Sequence, residues 1–334
     1  MFEFHVLTGS RLKQLLELHP ARCIESVADA YLAHHHGKTV NPDSYFLRFP
    51  SEPQNRIIAL PASIAGEQAV SGIKWIASYP GNVERGIPRA SAVLVLNDPA
   101  TGYPYALLEG ALISAARTAA SAVLAARWIN AGRREAMSVS FIGAGVIARS
   151  IYDMFRADHW TFEQLIVHDH DAASSEAFAA YARKQSNSGV RVDSLDAALA
   201  ADVVVFATNA GTPYVGADRP FAPGQIVLNV SLRDLAPELI LAAANLFDDV
   251  EHCMKANTSP HLAEQLSGHR AFVTGTLAQL MLGEIELDRG KPVIFSPFGM
   301  GMLDLALGKQ LFEAALAQGQ AIAIPEFFGE TSRW

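Results

Sequence analysis

The 334-residue sequence is short of several things, and each shortage narrows what the chain does. It has only two cysteines, Cys23 and Cys253, far apart and in no Cys-x-x-Cys or Cys/His cluster. That usage fits a reducing compartment and argues against a disulfide framework or structural zinc. Runs of about eighteen or more apolar residues are missing: the most apolar stretch, Ala111 to Ile129, is broken by Arg117 and Arg127, so no membrane span is expected. Met1 to His5 carries no basic segment leading into an apolar block, so a cytoplasmic location is expected rather than secretion. Cations are outnumbered 26 to 34, for a net charge of −8, which leaves no positive field for nucleic acid. Repeats, low-complexity tracts and charge blocks are absent, so the chain reads as continuous folded protein. His34-His35-His36 is not expected to hold metal, because consecutive helical positions point in different directions. A solvated helix end stopped by Gly37 accounts for it, and no metal is expected anywhere.

What the chain does have is apolar material, half of all residues with only 18% charged, enough for large cores and a buried oligomer interface. Arg22 to His36 has helical periodicity. Tyr45–Phe49, Arg56–Leu60, Gly72–Tyr79 and Ala90–Asn97 read as strands, and an Ala-rich helix is expected from about Leu112 to Asn130. From Met137 the rhythm changes. Short apolar runs at Met137–Ile142, Gln164–His168, Asp202–Ala207, Gln225–Val230 and Asn245–Asp249 alternate with helices such as Val146–Ala157 and Ala172–Gln185. That alternation implies an α/β fold built on a doubly wound parallel sheet. The expected division is an N-terminal α+β domain over 1–128, completed by 306–334, and a Rossmann domain over 129–305. Leu303–Gln318 forms a last helix.

The chemistry-bearing signals fall in both parts. Phe141-Ile142-Gly143-Ala144-Gly145-Val146-Ile147-Ala148 is a strand, a GxGxxA turn and a helix start. Gly143 permits the tight turn, Gly145 lets backbone amides approach a pyrophosphate, and Ala148 lets helix and strand pack closely. Asp169 ends the second strand at the distance where a carboxylate accepts both ribose hydroxyls and repels a 2′-phosphate, so NAD is the expected cofactor. Thr208 and Asn209 end the fourth strand and Ser231 the fifth; with Thr118 and the loop through Gly299 they are expected to complete the cofactor site. Asp234 follows at the same sheet edge, which suits a catalytic acid, and it suits equally an N-cap for a helix starting at Pro237.

On the other side of the division, Arg48, Lys74, Arg89 and Arg117 interrupt apolar segments with few acids nearby, Glu109 being the nearest candidate for Arg117. A buried cation is costly unless paired, and arginine suits bidentate capture of carboxylates. Such cations are expected to await an anionic ligand; the blander reading is that each finds a distant acid or snorkels to water.

Four segments carry a resemblance over nearly the full length: Gly72-Ile73-Lys74-Trp75-Ile76-Ala77-Ser78, Gly86-Ile87-Pro88-Arg89-Ala90-Ser91-Ala92, Ser114-Ala115-Ala116-Arg117-Thr118-Ala119-Ala120-Ser121-Ala122 and Gly143-Ala144-Gly145. The chain resembles the ornithine cyclodeaminase/mu-crystallin family, and within it the dehydrogenases of 2,3-diaminopropionate biosynthesis in siderophore and peptide-antibiotic pathways. The resemblance implies a homodimer paired through the N-terminal sheets. It also implies NAD-linked oxidation of a tricarboxylate amino acid, N-(1-amino-1-carboxyl-2-ethyl)-glutamate, to 2-oxoglutarate and L-2,3-diaminopropionate. By the same resemblance Arg48 and Arg117 bind carboxylate, Lys74 contacts substrate near the reacting carbon, and Asp234 acts on the nitrogen and the attacking water. Arg89 stands where cyclodeaminases carry a small polar residue. The loop Ser231 to Leu239 also departs from their version, which puts ornithine cyclisation in doubt. An imine reductase and a mu-crystallin-like binding protein are the other readings.

Overall fold

In the computed structural model, which describes residues 2–186 and 188–333, the chain divides into two compact units, Met1–Arg117 with Met300–Trp334, and Thr118–Gly299. The division falls inside one long helix, Gly110–Ile129.

Unit 1 is built on a mixed sheet of β1 (His5–Leu7), β2 (Thr39–Val40), β3 (Tyr45–Arg48), β4 (Arg56–Ile64), β5 (Val70–Ser78), β6 (Ala90–Asn97) and β7 (Pro104–Glu109). β4 to β7 form an antiparallel meander, β1 joins β7 in parallel, and a short strand at Ile322–Ala323 closes that edge beside β1. β3 and β2 both pair with β4. The expected strands in this region are present, and β7 opens on Pro104, which is tolerated at the first residue of a strand. The final helix, Gly301–Ala317, lies along the sheet, close enough at Gly301 that an added Cβ would stand 2.9 Å from the Leu60 carbonyl oxygen. The tail Phe327-Phe328 packs on its own chain, Phe327 stacked on Phe4 at 3.8 Å and Phe328 edge-on to Tyr103. Trp334, whose packing the sequence left open, lies outside the described residues.

Unit 2 holds an all-parallel sheet of β8 (Glu135–Ile142), β9 (Thr161–His168), β10 (Gly189–Val192), β11 (Val203–Phe206), β12 (Ile226–Asn229), β13 (Ala244–Phe247), β14 (Val273–Thr276) and β15 (Val293–Ser296). Their order across the sheet is β10-β9-β8-β11-β12-β15-β13-β14. β9 and β10 extend to one side of β8 and β11 and β12 to the other, so the connections reverse at β8/β11, where open α/β sheets bind ligands. The helix Val146–Ala157 follows β8, and Ala172–Arg183 follows β9, its first turn capped by the Asp171 carboxylate. A core containing Ile142, Val204, Phe206, Val227, Leu235, Phe247 and Ile294 fills this unit.

Both cysteines are buried and free, Cys23 in unit 1 and Cys253 in unit 2. Among the described residues no helix is long and apolar enough to cross a membrane, and no group of three His, Cys, Asp or Glu side chains is placed to hold a metal. The histidine triplet ends its helix as expected: Gly37 takes a φ of 69°, and His34 Nδ1 lies 2.6 Å from Thr39 Oγ1.

Candidate active site

The carboxyl edge of the parallel sheet collects the unit 2 residues singled out in the sequence apart from Thr118, which lies on the helix Gly110–Ile129. Gly143 leaves β8 with a φ of 94°, and a Cβ there would meet the Ala207 carbonyl oxygen at 2.5 Å, so no other residue fits. Gly145 has open space on its Cβ side. The helix that starts at Val146 has no side-chain N-cap, which leaves its first-turn amides as donors for an anion. Ile147 is half-buried, and Ala148, fully buried, lets that helix lie against β8. Asp169 follows β9, and its Oδ2 accepts from the Ala144 amide at 2.7 Å. That bond ties the end of β9 to the glycine turn.

Asp234 is completely buried. Its carboxylate accepts from three hydroxyls, Thr208 Oγ1 at 2.5 Å, Tyr214 Oη at 3.0 Å and Ser231 Oγ. The N-cap alternative fails, because the helix Pro237–Leu241 is entered through Ala236 and the Asp234 side chain is engaged elsewhere. Its carbonyl oxygen is also held, accepting from the amides of Tyr214 and Val215 at 3.0 Å each. Two residues earlier Leu232 adopts a φ of 77°, a strained conformation for a branched side chain. The buried carboxylate is thus fixed by three neutral hydroxyl donors. Burial and the nearby Asp234 charge push the Tyr214 hydroxyl well above the ordinary phenol range, so it stays a donor. Asn209 is exposed and lies outside this hydrogen-bonded group.

The loop through Gly299 is anchored by a residue that local pattern did not single out. Asp248, at the end of β13, accepts from the Phe298 amide at 2.9 Å through Oδ1 and from the Gly299 amide at 2.7 Å through Oδ2. Cys253 Sγ donates to the same Oδ1 at 3.2 Å, and burial raises that thiol well above its usual range.

In unit 1, Lys74 is 2% exposed in the middle of β5 and donates to Asp304 Oδ2 at 2.6 Å and to Ser114 Oγ at 3.1 Å. Arg117 donates through Nε to the other oxygen, Asp304 Oδ1, at 3.3 Å. The expectation that these two cations lack a protein acid is therefore corrected: they share Asp304, fully buried on the final helix. Glu109, the candidate partner for Arg117, instead accepts from the Ala111 and Leu112 amides at the start of the helix that carries Arg117. Two cations and one carboxylate leave the group with one net positive charge and a buried lysine. Burial lowers the Lys74 pKa to about 8, with Asp304 opposing the drop and Arg117 adding to it. Arg48 and Arg89 stand apart from this triad. Arg48 is exposed with its guanidinium 4.9 Å from the Phe46 ring centroid, and Arg89 is half-buried. Thr118 follows Arg117 on the same helix, half-buried.

Local reasoning missed Asp304, Tyr214 and Asp248. Asp304 had a signal: it is the only acid in Gly301-Met302-Leu303-Asp304-Leu305-Ala306-Leu307-Gly308, the same anomaly that marked Arg117. Tyr214 and Asp248 had none, since each acts through a fold-dependent contact.

Comparison with known proteins gives this arrangement its context. The chain is 31% identical to the N-((2S)-2-amino-2-carboxyethyl)-L-glutamate dehydrogenase of Staphylococcus aureus, over 95% of this chain and 96% of that one. It is 26% identical to the alanine dehydrogenase of Archaeoglobus fulgidus, over 96% and 98% of the two chains. The crystal structure of CmnK superposes with a TM-score of 0.86 at 28% identity, covering 98% of this chain and all of that one. The model of the ornithine cyclodeaminase/mu-crystallin family matches residues 5–319, and the chain belongs to that family.

Proposed function

We propose that the protein is an NAD-dependent dehydrogenase that converts N-((2S)-2-amino-2-carboxyethyl)-L-glutamate and water to L-2,3-diaminopropionate and 2-oxoglutarate, releasing NADH and a proton. The observation that carries this reading is the cation count in unit 1. Beyond the Lys74–Arg117–Asp304 triad, Arg48 and Arg89 stand without an ion pair among the described residues, a surplus that suits a substrate with more than one carboxylate. Ornithine, with its side-chain ammonium, would meet repulsion there. The resemblance to the staphylococcal enzyme supports the same substrate. By that resemblance the diamino acid feeds siderophore or peptide-antibiotic assembly.

The carboxyl edge of the parallel sheet fits NAD. The glycine turn closes against Ala207, Gly145 leaves its Cβ side open, and the amides of the following helix have no side-chain cap. Asp169 would accept the ribose hydroxyls, exchanging its bond to Ala144 for them. NAD, when bound, supplies the acceptor for the hydride of the substrate carbon.

The side chains do the rest. Lys74 and Arg117 hold the carboxylate beside the reacting carbon, oriented by the shared Asp304. Asp234 takes a proton from the secondary ammonium of the substrate, freeing the lone pair that forms the C=N bond. After releasing that proton it accepts another from the water that attacks the imine carbon and passes it to the nitrogen, and the C–N bond then breaks with the amine as leaving group. Thr208, Tyr214 and Ser231 fix the carboxylate for both transfers.

The working form is a homodimer. On the sheet face away from Lys74, Tyr45 (66% exposed), Leu47, Trp75 and Val93 form an exposed apolar row across β3, β5 and β6, as expected of a surface awaiting a second copy.

The decisive assay follows NADH absorbance with purified protein, NAD and the proposed substrate, beside a parallel assay with ornithine. NADH and 2-oxoglutarate in equal amounts, from the first only, are expected. Proline and ammonia from ornithine, with no net NADH, would overturn the reading in favour of a cyclodeaminase.

A further inference from the structure

Arg48 and Arg89 have a neighbour that the preceding account leaves unused. Across the β3–β4 ladder Arg48 pairs directly with Arg56, across β4–β5 Arg56 pairs with Ser78, and across β5–β6 Ser78 pairs with Ala90, the residue after Arg89. Arg48, Arg56, Ser78 and Ala90 therefore form one transverse row over four strands, with Arg89 immediately before the last of them. Directly opposed residues share a sheet face, so Arg48, Arg56 and Ser78 lie on the face that carries Lys74, which stands four residues before Ser78 on β5. Like charges set directly opposite one another destabilise a sheet.

The three cations feel one another. Burial and the charge of Arg48 hold the Arg56 guanidinium below its ordinary range, and burial and the charge of Arg56 do the same to Arg89. No carboxylate among the described residues relieves them. Glu52, the acid of the turn before β4, is engaged by Asn55 at 2.5 Å. Arg56 Nε and Ser78 Oγ are both sealed from water with no hydrogen-bond partner among the described residues, and Ser78 as a whole is 7% exposed. Buried donors are seldom left unmade in a folded chain, since each costs about 1–3 kcal/mol. Two of them in one row of cations mark a site built for an acceptor with negative charge.

We propose that Arg48, Arg56, Arg89 and Ser78 form a second anion subsite, with Arg56 the residue that sets specificity, and that it receives a substrate carboxylate other than the one held by Lys74 and Arg117. The identity of that substrate rests on the function proposed above; the existence of the subsite does not. Ser78 lies about 13 Å along the strand from Lys74, a gap that the long side chains of Lys74 and Arg56 narrow. The division of labour is electrostatic. The triad around Asp304 has one net charge and suits one carboxylate, whereas the row has no internal acid and suits the remaining negative charge of a tricarboxylate. A monocarboxylate amino acid would leave the row unsatisfied, so the row also selects against it.

The test measures binding by calorimetry on the protein with NADH, using 2-oxoglutarate and 2-oxobutyrate, which differ by the distal carboxylate. Wild type is expected to bind 2-oxoglutarate at least about tenfold more tightly, and Arg56→Gln to remove about that factor while leaving 2-oxobutyrate within about twofold. Ser78→Ala, a smaller change, is expected to weaken 2-oxoglutarate in the same selective way, and Arg56→Lys to restore part of the loss. Equal 2-oxoglutarate affinity in wild type, Arg56→Gln and Ser78→Ala would overturn the proposal, as would a loss that falls equally on both oxo acids. Neither arm needs turnover. A wild-type protein that makes no NADH from the proposed substrate therefore counts against the dehydrogenase reading, while the binding result still decides the subsite.

Discussion

At the scale of single residues, Asp304 governs the unit 1 site without being a plausible ligand for an anionic substrate. It keeps a fully buried lysine charged near neutrality and aims Arg117 from the other carboxylate oxygen. The sign of its pH effect follows from Lys74, whose folded value of about 8 lies below its ordinary 10.5. Between those values the unfolded chain binds the extra proton, so folding stability contributed by this group rises with pH across that window. Under the proposed function substrate capture runs the other way, because the carboxylate would be held by the charged amine and released as pH passes about 8. The KM for substrate is thus expected to climb above pH 8 in wild type. In Asp304→Asn the inflection moves to lower pH, with a stability loss of about 3–5 kcal/mol from two cations left unpaired. A KM–pH profile unchanged in that variant would exclude the role. Asp304 sits 230 residues from Lys74 in sequence, which is why no local pattern reported the pairing. The cations were legible because charge inside an apolar run is a local anomaly; which acid answers them is a property of the fold.

At the scale of elements, the glycine turn between β8 and its helix is the part read most completely from sequence. Its constraint is covalent and local: a φ of 94° beside a carbonyl oxygen admits no Cβ. Gly143→Ala is expected to abolish NADH binding followed by fluorescence and to lower the unfolding free energy by about 1–3 kcal/mol, with the circular dichroism spectrum retained. Wild-type NADH affinity in that variant would remove the turn from the cofactor site. Strands whose sequences are continuous apolar runs, such as β11 and β12, were equally plain. Harder cases were β14, where Gly275 dilutes the pattern, and β15, Val293–Ser296, a run of four residues behind a proline. Nor does periodicity say that β15 inserts between β12 and β13, because strand order in a parallel sheet is set by crossover packing.

At the scale of the whole molecule, the apolar row Tyr45, Leu47, Trp75 and Val93 is the surface on which the proposed homodimer rests. Trp75→Asp with Val93→Asp is expected to shift the protein from dimer to monomer in sedimentation. The Lys74 face of the same sheet is untouched, since neighbouring strand residues point to opposite sides. A variant that still sediments as the wild-type dimer would place the partner surface elsewhere. The two-part composition, strand-rich then strictly alternating, was visible from residue 137 onward because the hydrophobic period changes there. In the structure residues 300–334 group with the first unit.

That return imposes an order of events on synthesis. The final helix supplies Asp304, and the strand Ile322–Ala323 covers the open edge of β1, yet both emerge after the roughly 180 residues of Thr118–Gly299. At about 5–20 residues per second the early part waits about 10–35 seconds with Lys74 and Arg117 lacking their counter-charge and β1 lacking a neighbour. The second unit, contiguous in sequence, completes first. For that interval the nascent chain carries a finished parallel sheet behind an unfinished mixed one, and a ribosome stalled before codon 301 would release a protein whose Lys74 and Arg117 never meet Asp304.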